Sequence, residues 1–445
     1  MRKAVRCALV VLVLVVAAPV VVAGSWVGAS AQQVAGSELS AELFRAVEAY
    51  PQRRRDELRA QGKRIDREAG EKIVREQRDL AVRHAAQLAA RTDLAAGDLY
   101  YLGMLYNYGG KREEALDALR RFLADKNSPR AGAPVQLARS MVAVYAAQNK
   151  LFEEAERARA AYLAAEPQTP FKLYQIEYEL GLAYQKAKQY ERAAERGKEA
   201  FRLAVSLKPD EIPAALRREQ MLFGAGTSLA QSYSDAKRKD DALATVVELY
   251  RLSLELPSAN LYRMVAAKFP DKRDDAERAL AARPPEDRGA PPELTVAEWI
   301  DGQPAKLADL RGQVVLIDFW YEWCEPCRAA FPTIRGWHKK YKDKGLAVIG
   351  LTDLQRSFNE GEGAKSRDEK LALLHKFKQG EGVPYSFAVA ESPADNLAAY
   401  GVSAFPTSVL IDRRGVVRYI GIGVSPAEMS RLGEMIEKLL KEPAP

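Results

Sequence analysis

The segment Trp323-Cys324-Glu325-Pro326-Cys327 sets two thiols three positions apart in a chain of 445 residues that holds only one other cysteine, Cys7. Disulfides brace exported proteins mainly by closing long loops in the unfolded chain. A bridge across two residues closes almost no loop, so a structural staple explains this pair poorly. Two-electron thiol–disulfide exchange explains it better: a thiolate attacks, and a neighbouring thiol resolves the mixed disulfide.

The surroundings fit that chemistry. VVLIDFW is an apolar, β-rich run that reads as a buried strand, and CEPCRAAFPTIRGWHKKYKDKG reads as a helix ending at Gly345. The pair therefore sits where a strand hands over to a helix N-terminus, whose unpaired amides and partial positive charge stabilise a thiolate at Cys324. Cys327, about one turn on, is placed to expel whatever becomes attached. Pro326 falls in the first turn, where a missing N–H costs little. Glu325 adds a negative charge that disfavours the thiolate and pushes the couple toward the reducing side. Asp318 interrupts the apolar strand. Buried there, it would have a raised pKa and could accept the proton of Cys327; the alternative is a strand-end aspartate facing water or capping a helix. Phe405-Pro406-Thr407 precedes the strand TSVLID, where a cis proline at a tight turn would expose backbone for pairing with a substrate chain. Three scattered histidines, His84, His338 and His375, and one CxxC do not supply the roughly four ligands of a zinc site. No metal or other cofactor is expected.

The elements around these residues divide the chain. Residues 38–282 read as helical. Within about 98–255 a loose repeat recurs: Leu102-Gly103, Tyr106, Ala115 and Phe122; then Ala143, Ala146, Phe152, Ala155, Tyr162 and Pro167; then Leu180-Gly181, Tyr184, Tyr190 and Ala193; then Leu229, Tyr233 and Ala242. Small residues on paired helices let them approach closely. The pattern resembles the tetratricopeptide repeat, though its alanines recur at 40, 38 and 49 residues against the usual 34. A plain helical domain is the alternative. RPPEDRGAPPEL then reads as a stiff spacer, giving a linker at 283–292. From 293 to 441 strands and helices alternate and close with the hairpin PTSVLIDRRGVVRYIGI and an amphipathic helix, an α/β domain.

At the start, MRKAVR leads into an apolar run and Ala29-Ser30-Ala31, the pattern of a secretory signal peptide over residues 1–31. The rival is an uncleaved anchor, though the run is short for a span and Pro19 interrupts it. Either places the remainder outside the cytoplasm, periplasmic or secreted, with a membrane attachment only if the segment stays. The formal charge is +7, and loss of Arg2, Lys3 and Arg6 leaves +4 with mixed signs, which gives no case for nucleic-acid binding.

VLIDFWYEWCEPCRAAFPTI resembles the active-site strand and turn of the thioredoxin superfamily, Pro332 matches the proline within that family's active-site helix, and YGVSAFPTSVLIDRRGVV matches its cis-proline segment and hairpin. The long lead, LADLRGQVVLIDFW and the inserted helix around 366–379 resemble the exported TlpA-like/ResA-like branch. Over about 293–441 the resemblance implies Cys324 as nucleophile, Cys327 as resolving thiol, Asp318 as buried acid, a cis Pro406, and substrate contacts at Trp323, Phe405 and Pro406. Three positions depart: Ala330 replaces a glutamate common in the branch, Tyr321 a smaller residue, and the bulky Phe405 narrows the space before the proline. The expected function is an extracytoplasmic thiol–disulfide oxidoreductase, acting as reductant on the cysteines of client proteins and recharged by an unidentified electron donor. A protein partner on the helical repeats is a further expectation. The alternative is a helical assembly platform carrying an accessory or redox-sensing domain.

Overall fold

The computed structural model describes residues 37–213, 216–275, 278, 290–302, 305–355, 357–358, 365–390 and 392–444. The expected signal segment 1–31 and most of the expected linker, 283–289, lie outside the described residues. Compactness divides the chain into two units, 1–216 and 217–445. Among the described residues no helix is long and apolar enough to cross a membrane.

Among the described residues the first unit holds eight α-helices: α1 (Glu38–Ala60), α2 (Arg67–Ala89), α3 (Ala96–Tyr108), α4 (Arg112–Ala124), α5 (Ala133–Gln148), α6 (Phe152–Leu163), α7 (Pro170–Lys186) and α8 (Tyr190–Ser206). The second opens with α9 (Arg218–Asp235), α10 (Lys239–Glu255) and α11 (Ala259–Lys268). The hairpins α3–α4, α5–α6, α7–α8 and α9–α10 share one backbone closure. Each turns through a left-handed residue two positions before its second helix: Gly110, Lys150, Lys188 and Lys237, with φ of 71, 60, 62 and 67°. In each, the next amide donates back to the first helix, at 2.8, 2.8, 2.9 and 2.8 Å (Lys111 to Tyr106, Leu151 to Ala146, Gln189 to Tyr184, Arg238 to Tyr233). This is a Schellman-type closure that satisfies carbonyls left over at the helix end. Small residues then line the seams, with Ala115, Ala155 and Ala193 fully buried.

The second unit continues into a six-stranded sheet of order β1-β4-β3-β2-β5-β6, with β1 (Glu298–Ile300), β2 (Val314–Phe319), β3 (Leu346–Asp353), β4 (Ser386–Ala390), β5 (Thr407–Ile411) and β6 (Val417–Ile422). Strands β2, β3 and β4 are parallel, and β1, β5 and β6 run antiparallel to their neighbours. Helix α12 (Glu325–Tyr341) joins β2 to β3, α13 (Arg367–Gly380) joins β3 to β4, α14 (Pro393–Ala399) precedes β5, and α15 (Pro426–Lys441) closes the chain. This is the expected α/β architecture of thioredoxin type. Every residue of central β2 is buried, as a strand covered on both faces must be. Edge strand β1 lies within TVAEWI, which the sequence reading left unassigned; three residues are too few to show an alternation.

Gly181 of α7 sits against α8 so closely that a Cβ there would lie 3.3 Å from the backbone N of Gly197. Backbone cannot yield as a side chain can. Replacing Gly181 by Leu should destabilise the first unit by about 1–3 kcal/mol, read as a lower denaturation midpoint by far-UV circular dichroism.

Candidate active site

The pair lies where β2 passes into α12. Cys324 is the N-cap of α12 and its Sγ accepts the Cys327 N–H at 3.3 Å. That amide is one of the donors a helix leaves unpaired in its first turn. Cys324 and Cys327 are joined as a disulfide, with Cα atoms 5.3 Å apart. Cys324 is 5% exposed and Cys327 0%, so Cys324 is the outer residue of the pair. Glu325 and Pro326, the first two residues of α12, are both exposed.

Alternation along β2 puts Asp318 on the face shared by Leu316 and Trp320, which pack in one cluster with Cys327, Phe331 and Ile334. The carboxyl is buried, at 1% exposure. Ser408, its register partner on β5, donates to Oδ1 at 3.3 Å, and Oδ2 has no hydrogen-bond partner. Desolvation pushes its pKa from the ordinary 3.8 up to about 7, against a smaller lowering by Ser408. The water-facing alternative for this residue is thereby removed.

Trp323, 52% exposed, stacks on Tyr321 at 5.1 Å. The Tyr321 ring meets Phe405 edge-on at 4.7 Å, and Trp323 meets it at 6.3 Å. The Phe405–Pro406 bond is cis, and the Pro406 carbonyl accepts from Gly423 N–H at 2.9 Å. Three aromatic rings thus bring the loop before β5 to the flank of the cysteines. Ala330 is buried and offers no acid. Pro332 lies inside α12.

The histidines do not converge on this site. His84 Nδ1 lies 3.0 Å from the Leu43 carbonyl, His375 is exposed, and His338 is held below the usual imidazole range chiefly by desolvation. Among the described residues no three potential metal ligands gather.

Two neighbours escaped the sequence reading. Ser408 is an ordinary strand serine whose role arises only from register. Tyr385 is buried with an unpartnered hydroxyl; its pKa is raised, mainly by desolvation and then by the charge of Asp318. Nothing local marks either one.

Residues 287–436 match the family model described as Redoxin. Protein DipZ of Mycobacterium bovis is 32% identical over 161 residues, which is 35% of this chain and 21% of DipZ. Thiol-disulfide oxidoreductase ResA of Bacillus subtilis is 32% identical over 134 residues, 30% of this chain and 66% of ResA. The chain therefore spans about a fifth of the one relative and just under two thirds of the other. A thiol-disulfide isomerase of known structure from Corynebacterium glutamicum is 24% identical, covering 35% of this chain and 99% of that one with a TM-score of 0.30. The Redoxin match thus falls on the C-terminal part of the chain, the part that holds the six-stranded sheet and the cysteine pair.

The buried carboxyl has a stability consequence. Between pH 4 and 7 the unfolded chain ionises Asp318 while the folded chain keeps it protonated, so its contribution erodes as pH rises and the penalty is complete above about 7. Asp318→Asn should flatten the pH dependence across this window and stabilise the oxidised protein at pH 8 by up to about 4 kcal/mol, measured by urea denaturation at pH 4.5 and 8. An unchanged pH slope would show the carboxyl is ionised when folded.

Proposed function

We propose that the chain is an extracytoplasmic thiol–disulfide oxidoreductase that reduces disulfides of client proteins through Cys324 and Cys327. The observation that carries this is the Cys327 amide directed at Cys324 Sγ, with the buried Asp318 on the cluster face that contains Cys327. The Cys324 thiolate attacks one sulfur of a client disulfide. The client S–S bond breaks, and the departing client thiolate takes up a proton. Above about pH 7, where Asp318 is ionised, Cys327 passes its proton to the Asp318 carboxylate and attacks Cys324 Sγ. The mixed disulfide breaks, a second client thiolate leaves and is protonated, and the enzyme disulfide forms. Two electrons have moved from enzyme to client, and an external dithiol donor must restore the pair.

Export is read from residues 1–31, and the reducing direction from the charge of Glu325, exposed beside the pair. Trp323, Phe405 and Pro406 form the surface on which the client lies: Trp323 is exposed, its ring meets that of the half-buried Phe405, and the buried Pro406 follows through a cis bond. The repeated Schellman turns of the helical hairpins support a tetratricopeptide-like array that receives a protein partner. Residues 38–282 as a helical region, the linker at 283–292 and the redox domain at 293–441 remain our proposed division by sequence.

A Cys327→Ser variant should trap clients on Cys324 as mixed disulfides released by dithiothreitol, and a Cys324→Ser, Cys327→Ser double variant should trap none. If both recover the same partners and neither yields a mixed disulfide, the helical platform is the function and exchange is not. The reduction potential of the pair should fall below about −200 mV.

A further inference from the structure

The redox site has a neighbour that no sequence motif marks. Helix α11 begins at Ala259, and its first two amides have no partner within the helix. They donate instead to the loop that leads into β5: Ala259 N–H to the Tyr400 carbonyl and Asn260 N–H to the Gly401 carbonyl, both at 2.9 Å. Ser258, the N-cap, has its hydroxyl occupied by Leu261 N–H at 3.2 Å. The Ser403 hydroxyl donates to Asn260 Oδ1. Phe405 and Pro406 follow two and three residues later. Gly401 has φ +54°, and a Cβ there would lie 2.6 Å from Ser258 Oγ. That position excludes side chains both by backbone conformation and by the approach of α11.

The contact is anchored further along. The Arg273 guanidinium lies over the rings of Tyr262 on α11 and Tyr419 on β6, at 5.1 and 4.6 Å. It pairs with Glu428 of α15 at 3.2 Å through both terminal nitrogens. Asp274 accepts from Arg431 of the same helix. Arg273 is 14% exposed in its side chain and Glu428 17%, so this is a largely desolvated ion pair with an aromatic floor, unlike a surface pair. The first turn of α11 is thus tied to β6 through Tyr262, and to α15 through Arg273 beyond its end, while its opening amides grip the loop.

We propose that the start of α11 positions the 400–406 loop and thereby sets how a client chain docks beside Cys324, with Asn260 and Gly401 as positioning residues for client binding. The inference rests on the client surface proposed above and extends it to a helix that precedes the redox domain in the chain. Neither residue touches the sulfurs. Their loss should therefore weaken docking of a polypeptide and leave the chemistry of the dithiol alone.

The test uses the full chain, pre-reduced, in single-turnover reactions followed by tryptophan fluorescence. One probe is a peptide closed by a single intramolecular disulfide, and the other is 2-hydroxyethyl disulfide, too small to need the loop. Asn260→Ala should raise the half-saturating peptide concentration about 2- to 10-fold with the limiting rate and the small-disulfide rate unchanged. Asn260→Asp keeps the acceptor for Ser403 and should stay near the natural protein. Gly401→Ala should shift peptide binding further in the same direction; should it fail to fold, the Asn260 pair carries the test. The proposal is overturned if Asn260→Ala leaves peptide binding unchanged, if Asn260→Asp is as impaired as Ala, or if both probes slow together. If the natural protein reacts with neither probe, the redox reading falls first and this proposal with it.

Discussion

The proposed chemistry depends on one amide. The N–H of Cys327 points at Cys324 Sγ because α12 starts at Glu325 and leaves its first donors unpaired. Charge on that sulfur is met by a fixed dipole rather than by mobile water. The arrangement works only if the helix start is held still. Strand β2, buried along its length and paired on both sides, holds it at one end. The packing of Phe331 and Ile334 against the sheet holds it at the other. Two turns of helix and one strand therefore hold the cysteine pair, and the remaining elements keep them in register.

Holding a carboxyl in the same core opposes folding at neutral pH. Asp318 has one weak donor, Ser408, and one oxygen with no partner, an arrangement that an optimised core would avoid. A proton held near neutrality is what such a site offers in return. The cost is borne by a sheet whose apolar residues are almost completely buried, so the fold can carry one destabilising group where the proposed chemistry needs it.

The legible part of the sequence was local. The cysteine spacing, the apolar run before it and the aspartate within that run together defined the junction of β2 and α12. The glycine and alanine recurrences marked helix seams, although the turn that closes each hairpin uses lysine in a left-handed conformation at three of its four occurrences, and so carried no glycine signal. What escaped was non-local or too short to show a pattern. β1 has three residues. Ser408 acquires its partner from a strand 90 positions away. Tyr385 looks like any strand-edge aromatic. Helix α11 resembles the helices before it, yet it lies in the compact unit that contains the sheet, and only the folded chain brings Asn260 to Ser403.

The central claim is that the helix start lowers the proton affinity of Cys324. It is tested most directly by the rate of iodoacetamide alkylation of the reduced protein from pH 4 to 10, with modification assigned by mass spectrometry. The account predicts that Cys324 reacts first, with an apparent pKa well below the roughly 8.5 of a free cysteine, while Cys327 stays protected. A Cys324 that titrates at or above that value, or that reacts no faster than Cys327, would contradict it.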